Sequence, residues 1–301
     1  DKLTRLDSEA AAAAIDRHIA GPLGISVEEA AEAIIRVANA KMAGAIRLIS
    51  IERGHDPKRF AAMPFGGGGA LHAGALVREI GLAAAIVPRF PGVNSALGCV
   101  MSDLRHDEVR TLNRMLDTLD CEALTAMIAE ITASSEEVIK RSKASIDGLE
   151  AVIELDMLYL GQTHAVAVPL SVSHSGITTE AIRAAFDASY RRTYGRLLES
   201  IPVRVLNLRL SVIGKRPEVD IASLARGERA ASADDCHLAD QKIFAGGQWH
   251  DGAIIDRLRL PAGAVVNGPC LLVQPDATIY VDPGLAARVD DLGNIIIKEE
   301  E

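Results

Sequence analysis

The sequence predicts an α/β fold followed by an α+β region and a small β-rich C-terminal segment. Three observations carry this. A strand, a run of four glycines, a helix and a second strand follow one another between Phe60 and Val87. Two runs of alternating apolar residues flank Gly161-Gln162. The final stretch breaks into short apolar runs separated by Gly246-Gly247, Pro261, Gly268-Pro269, Pro283-Gly284 and Gly293-Asn294. Strand–loop–helix–strand order defines an α/β unit, period-2 alternation a half-buried strand, and Gly/Pro punctuation a set of turns.

Residues 1–52 read as helical. Ser26 with Glu29 forms a capping-box signature, and Ile34, Val37, Ala38, Met42, Ala45, Ile46 and Ile49 recur at helical steps behind it. Gly54 ends the helix and His55-Asp56-Pro57 turns the chain. A strand is expected from Phe60 to Phe65, a helix after the glycines to about Ile80, and a strand from Ala83 to Val87. Residues 118–146 are helical in pattern. Ile153–Tyr159 and His164–Leu170 are expected to form a hairpin with Gly161-Gln162 as its two-residue turn. A helix near 178–193 precedes a strand at Arg204–Leu210. The boundaries that follow are 1–117 (α/β with the glycine loop), 118–215 (α+β), 216–240 (linker or surface excursion) and 241–301 (β-rich domain).

Composition excludes several function classes. The chain has 301 residues, 49% hydrophobic, with 32 basic and 41 acidic side chains and a net charge of −9. Phosphate-backbone binding needs concentrated Lys and Arg, so no nucleic-acid partner is expected. No apolar run reaches the roughly 18–20 residues of a membrane helix. Cys99, Cys121, Cys236 and Cys270 form no CxxC pair, which argues against a zinc ribbon. Four free thiols and no secretory leader suit a cytoplasmic protein. The start at Asp1 without Met suggests part of a longer polypeptide.

Gly66–Gly69 is the most informative segment. Four glycines disfavour regular structure. Either they let backbone N–H groups approach a phosphate at the following helix, or they allow tight strand–helix packing without a ligand. No Lys-Ser/Thr follows, so this is not a P-loop, and Leu71 stands where a dinucleotide fingerprint requires Gly or Ala. His72 is either a ligand contact or a hydrogen-bonded helical residue. The run from Asp103 through Arg105, His106 and Asp107 to Glu108 is a solvated face or a substrate or partner contact. No metal site is expected there, because no second His lies at ligand spacing. Cys99, in apolar surroundings, reads as buried filler, and His164 as a core histidine. Arg191, Arg192 and Arg196 around Tyr194-Gly195 either hold an anion or form a solvated helix end.

These segments carry a family resemblance. Glu52-Arg53-Gly54-His55-Asp56-Pro57, Phe65 through Ala73, Val87-Pro88, Pro91-Gly92-Val93, Ser95–Gly98 and Ser102–Asp107 resemble the hydantoinase A / oxoprolinase family. So do Asp156-Met157, Tyr159, Gly161-Gln162, Arg192–Gly195, Asn207-Leu208-Arg209, Gly268-Pro269, Asp276-Ala277-Thr278 and Pro283-Gly284. The ordered set spans essentially the whole chain and matches the C-terminal portion of the family's A subunit.

The resemblance implies the second lobe of an actin-like, sugar-kinase-like ATPase, whose first half would precede this chain. It implies ATP with Mg²⁺ as cofactor. Gly66, Gly67, Gly68 and Gly69 would lie against the nucleotide, with His72, Asn94 and Ser95 nearby, and Asp103, Arg105, His106 and Asp107 would serve substrate binding or lobe closure. The implied activity is ATP-dependent opening of a cyclic amide, with hydrolysis completed by a metal-bearing, hydantoinase B-type partner. A ketone carboxylase subunit and a non-catalytic assembly module are the alternatives. Two departures stand out: Gly68 and Ala70 replace the family's usual Ala and Pro, and Leu158 occupies a position commonly Arg.

Overall fold

In the computed structural model, Ser8–Ile15 (α1) and a π-helical stretch, Asp16–Ala20, lead to the long helix Val27–Ile49 (α2). The structure describes residues 6–171, 177–198, 200–225 and 227–299, so the first five residues of the expected helical region lie outside it. The capping box forms as the sequence predicts. Glu29 N–H donates to Ser26 Oγ (3.2 Å) and Ser26 N–H donates to Glu29 Oε2 (2.9 Å). These bonds hold the Glu29 carboxyl below its usual range. Ser26→Ala is expected to lower stability by about 1 kcal/mol; an unchanged denaturant midpoint would show that the cap contributes nothing.

The strand expected over 60–65 shrinks to Ala61–Ala62 (β1), because Pro64 has no N–H to give a ladder. A 3₁₀ turn at Gly69–His72 runs into Ala73–Ile80 (α3), which Gly81 closes in the left-handed conformation (φ 75°). Ala84–Val87 (β2) and Asn94–Met101 (α4) follow. Cys99 lies exposed on α4, not buried as expected, since this short helix buries none of its residues.

Leu104–Met115 (β3), Cys121–Arg141 (α5), Gly148–Tyr159 (β4), Val166–Pro169 (β5), Thr179–Tyr194 (α6) and Val203–Lys215 (β6) come next. They make an antiparallel sheet in the order β3-β6-β4-β5. Leu124, Ile128 and Ile131 of α5, and Ile182, Phe186 and Tyr190 of α6, join the inward face of the sheet in one core. Along β6 the buried positions change from Val203 and Val205 to Leu208, Leu210 and Val212. The ladder with β4 shifts register there, passing from Asn207 to Val205. An extra residue in a strand reverses which side faces inward.

The connection between β4 and β5 is longer than the expected two-residue turn. His164 therefore sits before β5 and is exposed, its Nδ1 2.9 Å from Thr163 Oγ1, and is not a core residue.

His237–Ala245 (β7), Gln248–Asp256 (β8), Val265–Asn267 (β9), Cys270–Gln274 (β10), Ala277–Val281 (β11), Leu285–Val289 (β12) and Ile295–Glu299 (β13) complete the chain. One sheet has the order β11-β10-β8-β7, the other β1-β2-β13-β12-β9. The C-terminal strands are thus continuous with the N-terminal sheet: β13 pairs with β2, Ile295 opposite Val87. Val87, Ile297 and Leu285 from one sheet, with Leu272 and Ile279 from the other, share a core with Ala73 and Val77 of α3. Two compact units result, Asp1–Val100 with Asp220–Glu301, and Met101–Val219. The units divide after Val100 and after Val219.

Candidate functional site

The glycine loop leaves β1 and packs beside the turn that follows β2. Gly66 takes φ +84° and donates its N–H to Pro91 O (2.6 Å). Both segments meet Asp276, on the turn between β10 and β11. Its carboxylate Oδ2 accepts the Gly92 N–H (3.0 Å), and its backbone oxygen lies 3.7 Å from where a Gly67 Cβ would stand. A Cβ on Gly92 would come within 2.4 Å of that same oxygen, so only glycine permits this approach. Gly68, by contrast, faces open space. Among the described residues, nothing accepts a hydrogen bond from the N–H groups of Gly67 or Gly68. Asn94 and Ser95 begin α4 directly after this turn. The predicted Gly66–Gly69 loop therefore neighbours Pro91, with Asn94-Ser95 three to four residues further along the chain.

A buried cation anchors the arrangement. Arg257, only 3% exposed, donates to Pro88 O (2.7 Å), Val87 O (3.2 Å) and Gly293 O (3.3 Å), and also to Arg89 O and Gln274 Oε1. Gln274 Nε2 donates in turn to Asp276 Oδ1. Burial, helped by the nearby Arg89 charge, lowers the Arg257 pKa to about 10. It remains a cation at neutral pH and satisfies the carbonyls of the post-β2 turn.

Below the loop, α2, α3, the β7–β8 hairpin and β11 enclose a cavity of about 730 Å³. Leu71 and His72 line it, opposite Ile35, Arg36 and Asn39. His72 Nδ1 lies 2.7 Å from Asn39 Oδ1, so the histidine is tied to another helix. Glu32 closes one side by accepting the N–H groups of Gly246 (2.6 Å) and Gly247 (3.2 Å).

Tyr280 Oη and Asp282 Oδ2 also belong to this region and are shielded from solvent with no hydrogen-bond partner among the described residues. Burial raises the Asp282 pKa, against the opposing Arg78 charge, and takes the Tyr280 hydroxyl up to about 12. An Asp with a raised folded pKa stabilises below its unfolded value, near 3.9, and that contribution is lost as pH rises through the folded value. Asp282→Asn is thus expected to raise the thermal midpoint at pH 8 more than at pH 4. An equal shift at both values would count against a buried titrating carboxyl.

Asp103, Arg105, His106 and Asp107 lie in the second unit, at the start of β3. Asp103 accepts from Lys215 Nζ (3.0 Å) and Arg216 N–H (2.9 Å), and these bonds lower its pKa. Asp107 accepts from Ser211 and Arg105, the latter at 2.8 Å, and its pKa is lowered likewise. His106 lies 3.6 Å from Glu108. All four are engaged with neighbours in the sheet, and successive residues point to opposite faces. Among the described residues no group of three His, Cys, Asp or Glu is placed to hold a metal, and no helix is long and apolar enough to cross a membrane. Sequence reasoning missed Arg257 and Asn39 as site-forming residues. Asp276 was visible only within the Asp276-Ala277-Thr278 segment.

The comparisons with known proteins agree with this architecture. The family described as Hydantoinase/oxoprolinase matches residues 1–108, and the Hydantoinase/oxoprolinase C-terminal domain matches residues 114–299. Caprolactamase subunit alpha of Pseudomonas jessenii is 31% identical over 95% of this chain, which spans 42% of that protein. The crystal structure of the ATP-dependent caprolactamase from the same organism aligns over the whole chain, covering 44% of its own, at TM-score 0.70 and 29% identity. A nucleotide-free acetone carboxylase structure shares the fold at TM-score 0.81 and 23% identity, over 99% of this chain and 44% of its own. The chain spans less than half the length of these relatives, and with a family domain matched across most of its length it belongs to the hydantoinase/oxoprolinase family.

Proposed function

We propose that this chain is the C-terminal portion of an ATP-dependent subunit that activates a cyclic amide for hydrolysis. The reading is supported by one observation above all: the Asp276 turn holds the glycine loop and the Pro91–Ser95 segment side by side. The residues fit a nucleotide. Among the described residues two loop N–H groups lack acceptors, the space above Gly68 is open, and the 730 Å³ cavity beginning at Leu71 and His72 has largely apolar walls. In this reading Gly66–Gly69, with Asn94 and Ser95, receive the phosphates or ribose. Leu71, Ile35, Arg36 and the Asn39-held His72 receive the base. The chain would be the second lobe of an actin-like ATPase, and the first lobe would come from a segment outside it.

When bound, Mg²⁺-ATP supplies the phosphoryl group that turns an amide oxygen into a leaving group. The chain's own contribution is positional. Arg257 and Asp276 fix the loop backbone before a ligand arrives, so its N–H dipoles need no reorganisation. Hydrolysis is assigned to a metal-bearing, hydantoinase B-type partner in the cytoplasm, with Asp103, Arg105, His106 and Asp107 serving lobe closure or substrate contact. No residue of this chain is assigned as catalytic base.

The test uses the full reading frame mixed with its neighbouring metal subunit and follows ADP release. Stimulation by a lactam, hydantoin or oxoproline is the expected result. Stimulation only by a ketone with bicarbonate would move the assignment to the carboxylases. No ADP under any condition, with the complex formed, would leave an assembly module.

A further inference from the structure

The second unit holds a cavity of about 590 Å³ that the nucleotide reading does not use. Two sequence segments far apart in the chain build it. Gly161, Gln162, Thr163 and His164 come from the β4–β5 connection, and Tyr190, Tyr194 and Arg196 from the end of α6.

Its lining is rich in donors. Gln162 Nε2 donates to Tyr190 Oη (2.7 Å), while Gln162 Oε1 is shielded from solvent with no hydrogen-bond partner among the described residues; with the amide in this orientation the Tyr190 hydroxyl keeps its own hydrogen to donate. Thr163 Oγ1 and His164 Nδ1 share one hydrogen bond (2.9 Å), which leaves the far ring nitrogen of His164 available. The Tyr194 ring, 47% exposed, lies 4.6 Å from that of Tyr190 and forms a wall. Gly161 has φ +92° and open space where a Cβ would stand, which keeps the floor clear. Arg196 is exposed and, among the described residues, carries the lining's one permanent charge, with no carboxylate beside it in the lining.

Helix α6 ends here, and its last carbonyls carry about half a negative charge. Gly195 N–H caps one of them by bonding to Arg191 O (2.8 Å). Among the described residues, Arg191 and Arg192 in the final turn and Arg196 after it set positive charge against that partial charge. A donor-lined dish with a guanidinium at its edge is complementary to an oxyanion, which the guanidinium fork engages in a bidentate manner.

We propose that this cavity binds a small oxyanion-bearing ligand, a carboxylate or a phosphate, on Arg196 with the hydroxyls of Tyr190 and Tyr194 and the ring of His164 as further donors. The assignment stands independently of the nucleotide reading.

The experiment titrates the full-length protein calorimetrically with inorganic phosphate and with 6-aminohexanoate, at constant ionic strength held by chloride. Saturable binding of at least one is expected, and which one saturates separates phosphate from carboxylate. Arg196→Gln should weaken it about tenfold or more, and Arg196→Lys by less, because an ammonium keeps the charge but not the fork. Arg196 is exposed, so the variants should melt with the wild type, and ATP affinity should not change in either. No saturation by either ligand up to about 20 mM, or equal affinity in Arg196→Gln and wild type, would overturn the proposal.

Discussion

Arg257→Met is expected to destabilise the first unit by roughly 3–5 kcal/mol, the largest effect of any single substitution considered. The guanidinium donates to four backbone carbonyls and to Gln274 Oε1. Methionine fills similar volume but donates nothing, leaving those acceptors buried. Arg257→Lys should fall between, because three donors on one nitrogen cannot reach five acceptors spread over three segments. Denaturant unfolding of the two variants against wild type measures this. A methionine variant within about 1 kcal/mol of wild type would mean that water satisfies the carbonyls and that Arg257 does not anchor the turn.

Gly92→Ala should be nearly as damaging and more specific to the site. The new Cβ would stand 2.4 Å from Asp276 O and 2.7 Å from both Asp276 Cβ and Oδ2. Backbone oxygen cannot swing aside as a flexible side-chain end can, so the turn must move and the Gly92 N–H bond to Asp276 is lost. About 2–3 kcal/mol of stability should go with it, together with at least about tenfold in nucleotide affinity. Unfolding and equilibrium nucleotide binding report the two losses separately. Normal affinity in a destabilised protein would show that the Asp276 turn supports the fold without shaping the nucleotide site.

The legible parts of this molecule were the local ones. Ser26 and Glu29 announce a helix start because both partners of the capping box lie within one turn. The glycine loop announces a strand-to-helix turn because four glycines suit little else. Hidden parts depended on distant approach. Asp276 reaches Gly92 across 184 residues, and no local pattern marks Arg257 as the residue that satisfies the turn after β2. The merging of β13 with β2 was illegible for the same reason, since alternation reveals a strand but not its neighbour. His164 misled because alternation continued in sequence where the strand did not, and a longer connection left the side chain in solvent. Cys99 misled because apolar neighbours in sequence do not by themselves bury a residue, and this short helix buries none of its own.

The central claim, that the glycine loop meets a nucleotide, rests most directly on Gly68. Its φ of −108° is open to any residue, and no atom stands within 4 Å of where a Cβ would go. Valine there should leave the fold intact and occupy only the space assigned to the ligand. The decisive measurement is ATP affinity of the full-length protein and of Gly68→Val, with thermal midpoints taken alongside. The account predicts measurable binding in the wild type, loss of that binding in the variant and unchanged midpoints. Equal ATP affinity in the two proteins would contradict it.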